Sequence, residues 1–290
     1  MSEISRLEQL ISESEKDAPS SFSERALLHQ KLAQEYLNNN QRDRALIQVK
    51  KYVFNALANT NKELSDSFFS FRSFTEYSWK DLKDNTISLV HPSMFNDPLD
   101  PVMLRWLTMK IDGASGNERE YYCMLKKAFD GLRIRCFVYS TMGIGAIDTL
   151  MWAHYADSHK GFCVQYQLDG ALSLIRDEES TTFLEPIVYS DFSSGISSLS
   201  IEDALFHKTR NWAYENEYRL VHYSNKDESE KKEGVFLLEN CLPKAVYLGA
   251  KCTEDNAFKM QLLLRNKDVA LYQMEYDYTR EGQMFAKRIG

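Results

Sequence analysis

The chain changes its hydrophobic period once, near Phe68, and that change restricts the folds open to it. Residues 1–65 contain no glycine and a single proline, Pro19. Their apolar residues recur three and four apart: Leu7, Leu10 and Ile11; then Ala26, Leu27, Leu32, Ala33, Tyr36 and Leu37; then Ala45, Leu46, Val49, Tyr52, Val53, Ala56 and Leu57. That spacing predicts amphipathic helices, with the polar run Asn38–Asp43 as a turn. From Phe68 onward the apolar runs are short and rich in aromatic and β-branched residues, as strands are. Strands are expected at 68–74, 86–91, 133–139, 162–168, 185–189, 218–223, 235–238, 245–249 and 270–274. Helices are expected at 102–111, 117–130, 201–213 and 253–266. The segment 151–166 reads as a helical turn, a glycine stop at Gly161 and a buried strand. The expected architecture is α+β: a mixed or antiparallel sheet of about eight short strands, with a helical hairpin extension. Residues 1–65 form the helical part and 66–290 the α+β domain.

Composition bounds the function. Of 290 residues, 43% are hydrophobic and 27% charged, the balance of a globular chain. The formal net charge of -7 does not imply nucleic-acid binding, which needs a cationic surface. No apolar run approaches 18 residues, so no membrane span is expected. No apolar segment follows a basic start, so no signal peptide is expected either. The five cysteines are odd in number, and none are paired at C-x-x-C spacing. They suit reduced thiols, and a cytoplasmic location is expected. Glycine-rich turns of the Rossmann or P-loop kind are absent, as is G-x-S-x-G.

Several motifs taken together resemble one bacterial family, catalogued as domain of unknown function 2971. They are Phe71-Arg-Ser-Phe74, His91-Pro-Ser-Met-Phe-Asn-Asp-Pro98, Cys136-Phe137, Trp152-Ala-His-Tyr-Ala-Asp-Ser-His-Lys-Gly-Phe-Cys163 and Trp212-Ala-Tyr-Glu-Asn-Glu-Tyr-Arg219. The resemblance spans roughly residues 68–250 and implies no activity. The stretch Leu32–Leu37 with Ala45-Leu46 resembles one tetratricopeptide-like hairpin. A single such unit is either a cap on the main domain or a surface for a protein partner.

Three groups of residues carry candidate chemistry. Glu215-Asn-Glu217 precedes a strand and, if extended, puts both carboxylates on one face. It looks like the Glu-x-Glu of ADP-ribosyltransferases. Arg72 on a short strand resembles the dinucleotide-binding arginine of those enzymes, and Ser140-Thr141 their Ser-Thr-Ser, incomplete here because Met142 follows. The resemblance implies NAD as substrate, with Arg72 on the diphosphate, Ser140 and Thr141 bracing the site, Glu217 catalytic and Glu215 positioning the acceptor. A carboxylate there would stabilise the oxocarbenium ion formed as nicotinamide leaves. On the opposing reading, Glu215 and Glu217 are surface residues paired with Arg219 and Lys208.

The second group is His154, three residues from Asp157 and able to share a helical face with it. It is a candidate general base, or the centre of a metal-dependent hydrolase or nuclease. His154 and His159 lie five apart, the wrong spacing for a zinc pair on one helix, and no metal is predicted. Trp152, Tyr155 and Ala156 are expected to face the core, and Gly161 to cap the helix. In the third group, His91 and Asn96 would line a pocket mouth near Arg72. Asn96, Asp97 and Asp100 are candidate ligands for a hard cation, though local turn bonding also explains them. A non-catalytic scaffold engaging a partner through residues 1–65 is the alternative from a different functional class.

Overall fold

The computed structural model describes residues 2–15, 22–58, 68–95, 100, 102–168, 180–191, 200–224, 235–279 and 283–290. The N-terminal region forms three helices, α1 (Glu3–Ser14), α2 (Phe22–Asn38) and α3 (Arg42–Ala58). Ser2 caps α1 by accepting from the Ser5 amide. Asn40 takes the left-handed conformation (φ 56°) that turns α2 into α3. Ala33 and Ala45 are fully buried, as are Val49, Val53 and Leu57 of the third apolar stripe.

The remaining elements, in order, are β1 (Phe68–Arg72), α4 (Glu76–Asp84), β2 (Ile87–Val90), α5 (Val102–Gly113), α6 (Gly116–Ala128), β3 (Leu132–Tyr139), α7 (Leu150–Tyr155) and β4 (Phe162–Tyr166). They continue with β5 (Ser180–Pro186), β6 (Val188–Tyr189), α8 (Ile201–Phe206), β7 (His207–Lys208), β8 (Glu217–Ser224), β9 (Val235–Leu238), β10 (Pro243–Leu248), α9 (Glu254–Leu264), β11 (Ala270–Tyr276) and β12 (Met284–Arg288). The fold is α+β with a mixed sheet whose pairings are mostly antiparallel. β10–β11 and the small β6–β7 pair are the parallel exceptions.

One detail of the sheet positions everything that follows. β8 runs along the whole of β3, from Leu132↔Tyr223 to Val138↔Glu217. On the other edge β3 is shared. β1 holds it at Tyr139 and Val138, and β2 holds it at Ile134. The sheet therefore forks at β3. One limb runs through β1, β4, β10, β11 and β12, and the other through β2 and β9. Residues 135–137 lie between the two ladders.

Strand alternation sorts the side chains onto two faces. Phe68, Phe137, Leu220, Val164 and Leu248 point to one face and pack against Leu82 of α4 and Met260 and Leu264 of α9. The opposite face carries two separate clusters. Phe69, Val138, Cys163 and Tyr247 pack with Met151 and Trp152 of α7. Ile134, Val221 and Tyr223 pack with α5, α6 and the N-terminal helices. The N-terminal helices thus share one continuous apolar cluster with β3, β5 and β8. No described helix is long and apolar enough to cross a membrane.

Several expectations need correction. The helix expected over 201–213 stops at Phe206, and the chain is extended at His207 (φ -103°, ψ 142°) before a 3-10 turn at Arg210–Glu215. This break carries Lys208 inward. The strand Ser180–Pro186 begins earlier than its apolar residues suggest, because Ser180, Thr181 and Thr182 pair with β8 through backbone groups. The terminal strand β12 was not expected: only Met284 of its five residues is buried.

Candidate functional site

A cavity of about 250 Å³ opens at the fork, on the face with two clusters. Its walls are mostly apolar, with Phe71 of β1, Val90, Met94, Phe95 and Met151, and Arg135 of β3 lines it as well. Its polar end is formed by Asp100, Lys208, Glu215 and Glu217, beside the Tyr155 hydroxyl.

Five charged side chains meet at that end, all buried. The Lys208 ammonium donates to Glu215 Oε2 (2.5 Å) and Glu217 Oε2 (2.9 Å) and lies 3.3 Å from Asp100 Oδ2. Arg219, wholly enclosed, donates through Nε to Glu217 Oε1 (2.8 Å) and through Nη2 to both oxygens of Asp100 (2.5 and 2.7 Å). Its Nη1 donates to the Leu205 carbonyl at the end of α8 (2.6 Å), satisfying an acceptor the helix leaves open. The Tyr155 hydroxyl donates to Glu215 Oε1 (2.5 Å), and the Glu217 amide donates to the Tyr189 hydroxyl (2.8 Å). The Lys208 ammonium also sits 5.0 Å from the centre of the Trp212 ring.

The carboxylates converge by a different route from the one expected. Glu215 ends the 3-10 turn and Glu217 starts β8, so the pair is not on one extended segment. Asn216 between them is left-handed (φ 42°), and this kink turns both carboxylates onto one ammonium. The pairing with Lys208 and Arg219 is therefore present, but the residues are interior rather than on the surface: Glu215 is 3% exposed and Glu217 4%.

Their environments push them apart. Burial raises Glu215 above the usual carboxylate range, and Lys208 offsets only part of it. Burial also acts to raise Glu217, but Arg219 and Lys208 together overcome it and hold this carboxyl at about 2. Burial and its bond to Glu215 push the Tyr155 phenol upward. Because the folded pKa of Glu217 is depressed below its ordinary 4.5, its contribution to stability is complete above pH 4.5 and is lost as pH falls toward about 2. That contribution is on the order of 3 kcal/mol. Chemical denaturation across this window should show a steep acid loss in the wild type. Glu217→Gln, already weaker at neutral pH, should give a flatter profile. Equal slopes would contradict the assignment.

The other expected site residues lie elsewhere. Arg72 shares a sheet face with Phe68 and points away from the cavity. Its guanidinium bonds Asp81 (2.6 Å), the Tyr166 hydroxyl (3.1 Å) and Ser70 (3.4 Å). Residues two apart on a strand share a face, so Phe69 and Phe71, not Arg72, reach the cavity. Ser140 donates to the Gly143 carbonyl (2.9 Å) and ties a turn, while Thr141 is exposed. His91 caps the 3-10 turn Pro92–Met94, accepting from the Ser93 amide (3.2 Å). None of these four lines the cavity. Asn96 and Asp97 fall outside the described residues. Asp100 is an ion-pair partner of Arg219 and Lys208 rather than a cation ligand.

His154 is exposed, and its Nδ1 meets the Tyr214 hydroxyl at 3.0 Å rather than Asp157. The expected His154–Asp157 pairing fails because α7 ends at Tyr155 and the chain then runs left-handed through Asp157, Ser158 and His159. Trp152 and Ala156 face the core, and Tyr155 packs against the same cluster while its half-buried side chain also lines the cavity. Among the described residues, no group of three or more His, Cys, Asp or Glu side chains is placed to hold a metal ion. The signal for Tyr155 was its place in the motif Trp152–Cys163, which crowds polar and aromatic side chains together. Its direction depended on where the helix ended.

Residues 151–220 match the model of a family described as a protein of unknown function, DUF2971. No curated protein and no solved structure matches the chain. The matched segment runs from α7 to β8 and contains Tyr155, Lys208, Glu215, Glu217 and Arg219, four of the five clustered charges together with the tyrosine that joins them.

Proposed function

We propose that the chain is a small-molecule hydrolase that cleaves a glycosidic bond in the fork cavity. The observation that carries this reading is the buried pair of carboxyls, one raised and one held ionised, at the polar end of a mostly apolar pocket. Divergent environments of this kind separate an acid from a fixed anion.

With Glu215 protonated, the three carboxyls and two cations of the cluster sum to zero. In the first step the Tyr155 hydroxyl gives its proton to the leaving group and takes the Glu215 proton. The bond from the sugar to the leaving group breaks with its electron pair on the departing atom. The cluster then carries one negative charge at the moment the sugar becomes an oxocarbenium cation, which it stabilises through space. Water adds to the cation and returns a proton along the same path to Glu215. Phe71 and Phe95 offer apolar surface for a flat leaving group.

NAD itself is not carried into this reading. Among the described residues, Lys208 and Arg219 are committed to carboxylates, which leaves Arg135 as the lining cation for the two phosphates of NAD. The cavity also falls below the roughly 300–1,000 Å³ of pockets for larger ligands.

The test is release of free base from inosine and AMP, with NAD as the comparison expected to be cleaved least, followed by chromatography. Release that falls at least about 100-fold in both Glu215→Gln and Tyr155→Phe supports the reading. Release that survives Glu215→Gln, or no release from any of the three, overturns it.

A further inference from the structure

Where β1 and β2 part along β3, a second buried polar group lies at the floor of the fork, and its charges do not balance. Arg72 and Arg135 approach the same region, which among the described residues contains one carboxylate, Asp81. Asp81 is fully used. Its Oδ2 accepts from Arg72 (2.6 Å) and the Ser88 amide (3.2 Å), and its Oδ1 from the hydroxyls of Ser88 (2.5 Å) and Thr86 (3.2 Å). Arg135 receives only the Ser70 hydroxyl oxygen, from Nε (3.2 Å) and Nη2 (2.7 Å). Tyr166, already bonded to Arg72, is neutral: burial raises its phenol. One guanidinium is thus left without an anion among the described residues.

An uncompensated interior charge costs several kcal/mol unless something neutralises it. Burial, then the neighbouring Arg72, pulls Arg135 down to about 10, so it is still charged at neutral pH.

Arg135 is deep in the chain yet not sealed. It lies in the 135–137 stretch of β3 where the fork leaves the edge open between β1 and β2. It is partly accessible, and it lines the same cavity as Glu215 and Glu217. Its Nε–Nη2 edge is taken by Ser70. Its Nη1 has no protein partner among the described residues and is not among the enclosed, unbonded atoms. The Nη1–Nη2 edge is therefore open, and a planar pair of donors is the geometry that grips a phosphate or carboxylate.

We propose that the fork cavity binds a small sugar phosphate, its phosphate on the open edge of Arg135 and its sugar directed past Phe71 toward Tyr155 and Glu215. The inference deepens the hydrolase reading by naming the substrate class, and it rests on that reading only for the bond that breaks. An anion here supplies the charge the interior lacks. One phosphate suits a cavity of about 250 Å³.

The experiment measures binding rather than turnover. Calorimetry and thermal shift with ribose 5-phosphate, inorganic phosphate and ribose are run on the wild type, Arg135→Gln and Arg135→Lys. The wild type should bind ribose 5-phosphate, with ribose at least tenfold weaker. Arg135→Gln should lose at least tenfold in affinity, and Arg135→Lys, which keeps the charge without the fork, should fall between. Arg135→Gln removes a surplus interior cation, so its unliganded Tm should not drop. If it does, Arg135→Lys carries the comparison.

No binding of either phosphate by the wild type, or equal binding by Arg135→Gln, overturns the proposal. Inorganic phosphate bound as tightly as ribose 5-phosphate overturns the substrate class. Sugar phosphate binding that stands while every base-release assay fails would sink the hydrolase reading alone.

Discussion

Lys208→Met is expected to cost about 3–5 kcal/mol of folding stability at pH 7. The substitution keeps length and apolar stem, so lost packing contributes little. What it removes is the one ammonium that Glu215 and Glu217 share and that also faces Asp100. Three buried carboxyls would then be left with Arg219 alone. Glu217 keeps its Nε bond and Asp100 its Nη2 bonds, but Glu215 retains only the Tyr155 hydroxyl. Protonation relieves such a site. The variant should therefore lose most relative to wild type at neutral pH and regain ground as pH falls and Glu215 takes up a proton. Urea denaturation at pH 7 and pH 5 reads both effects. A loss under about 1 kcal/mol at both values is what a solvent-screened surface pair would give, and it would remove the basis for an interior cluster.

Gly161→Ala is expected to cost about 3 kcal/mol, the upper end of the range for overpacking. An added Cβ would stand 2.2 Å from the Arg72 carbonyl oxygen and 2.9 Å from the carbonyl carbon and oxygen of Ala156. These are backbone atoms and cannot swing aside. The Gly161 amide bonds the Ala156 carbonyl (2.7 Å), and its own carbonyl accepts from Gly249 (2.8 Å), so the strand cannot retreat without losing both. The expected role of this glycine as a helix cap is corrected by the same contacts. The left-handed residues are Asp157, Ser158 and His159, and Gly161 is needed for close approach of chains. Gly113→Ala is the control. Nothing lies within 4 Å of its added Cβ, and it should stay within about 0.5 kcal/mol of wild type. Thermal denaturation separates the two. Because Gly161 sets the path from α7 to β4, its loss should also displace Tyr155 and weaken any ligand bound in the cavity.

Much of this architecture was legible from periodicity. The three helical stripes, the strand at 235–238 and most other strands follow from where apolar residues recur. What periodicity could not give is which way a chain leaves an element. Lys208 sits in a run patterned like a helix, and only the extended backbone at His207 turns it inward to the carboxylates. Glu215 and Glu217 were picked out for their spacing. Their convergence, however, depends on the left-handed Asn216, whose conformation the sequence hints at only through residue type. Arg72 shows the converse failure. Its place in a short aromatic strand suggested a ligand contact, but a one-residue difference in register separates the cavity face of Phe71 from the interior face of Arg72. Arg135 carried a usable signal that went unread: an arginine in the middle of the apolar strand Leu132–Tyr139 must either find an anion or reach one from outside.

Glu215 and Glu217, bound to one ammonium, hold opposite protonation tendencies at the end of the fork cavity. Carbon-13 NMR titration of the glutamate side-chain carboxyls, assigned with Glu215→Gln and Glu217→Gln, measures this directly. The account predicts one carboxyl, absent in Glu215→Gln, with its midpoint above 4.5, and a second, absent in Glu217→Gln, still ionised near pH 3. Two overlapping titrations near 4.5, or Glu215 titrating below Glu217, would contradict it.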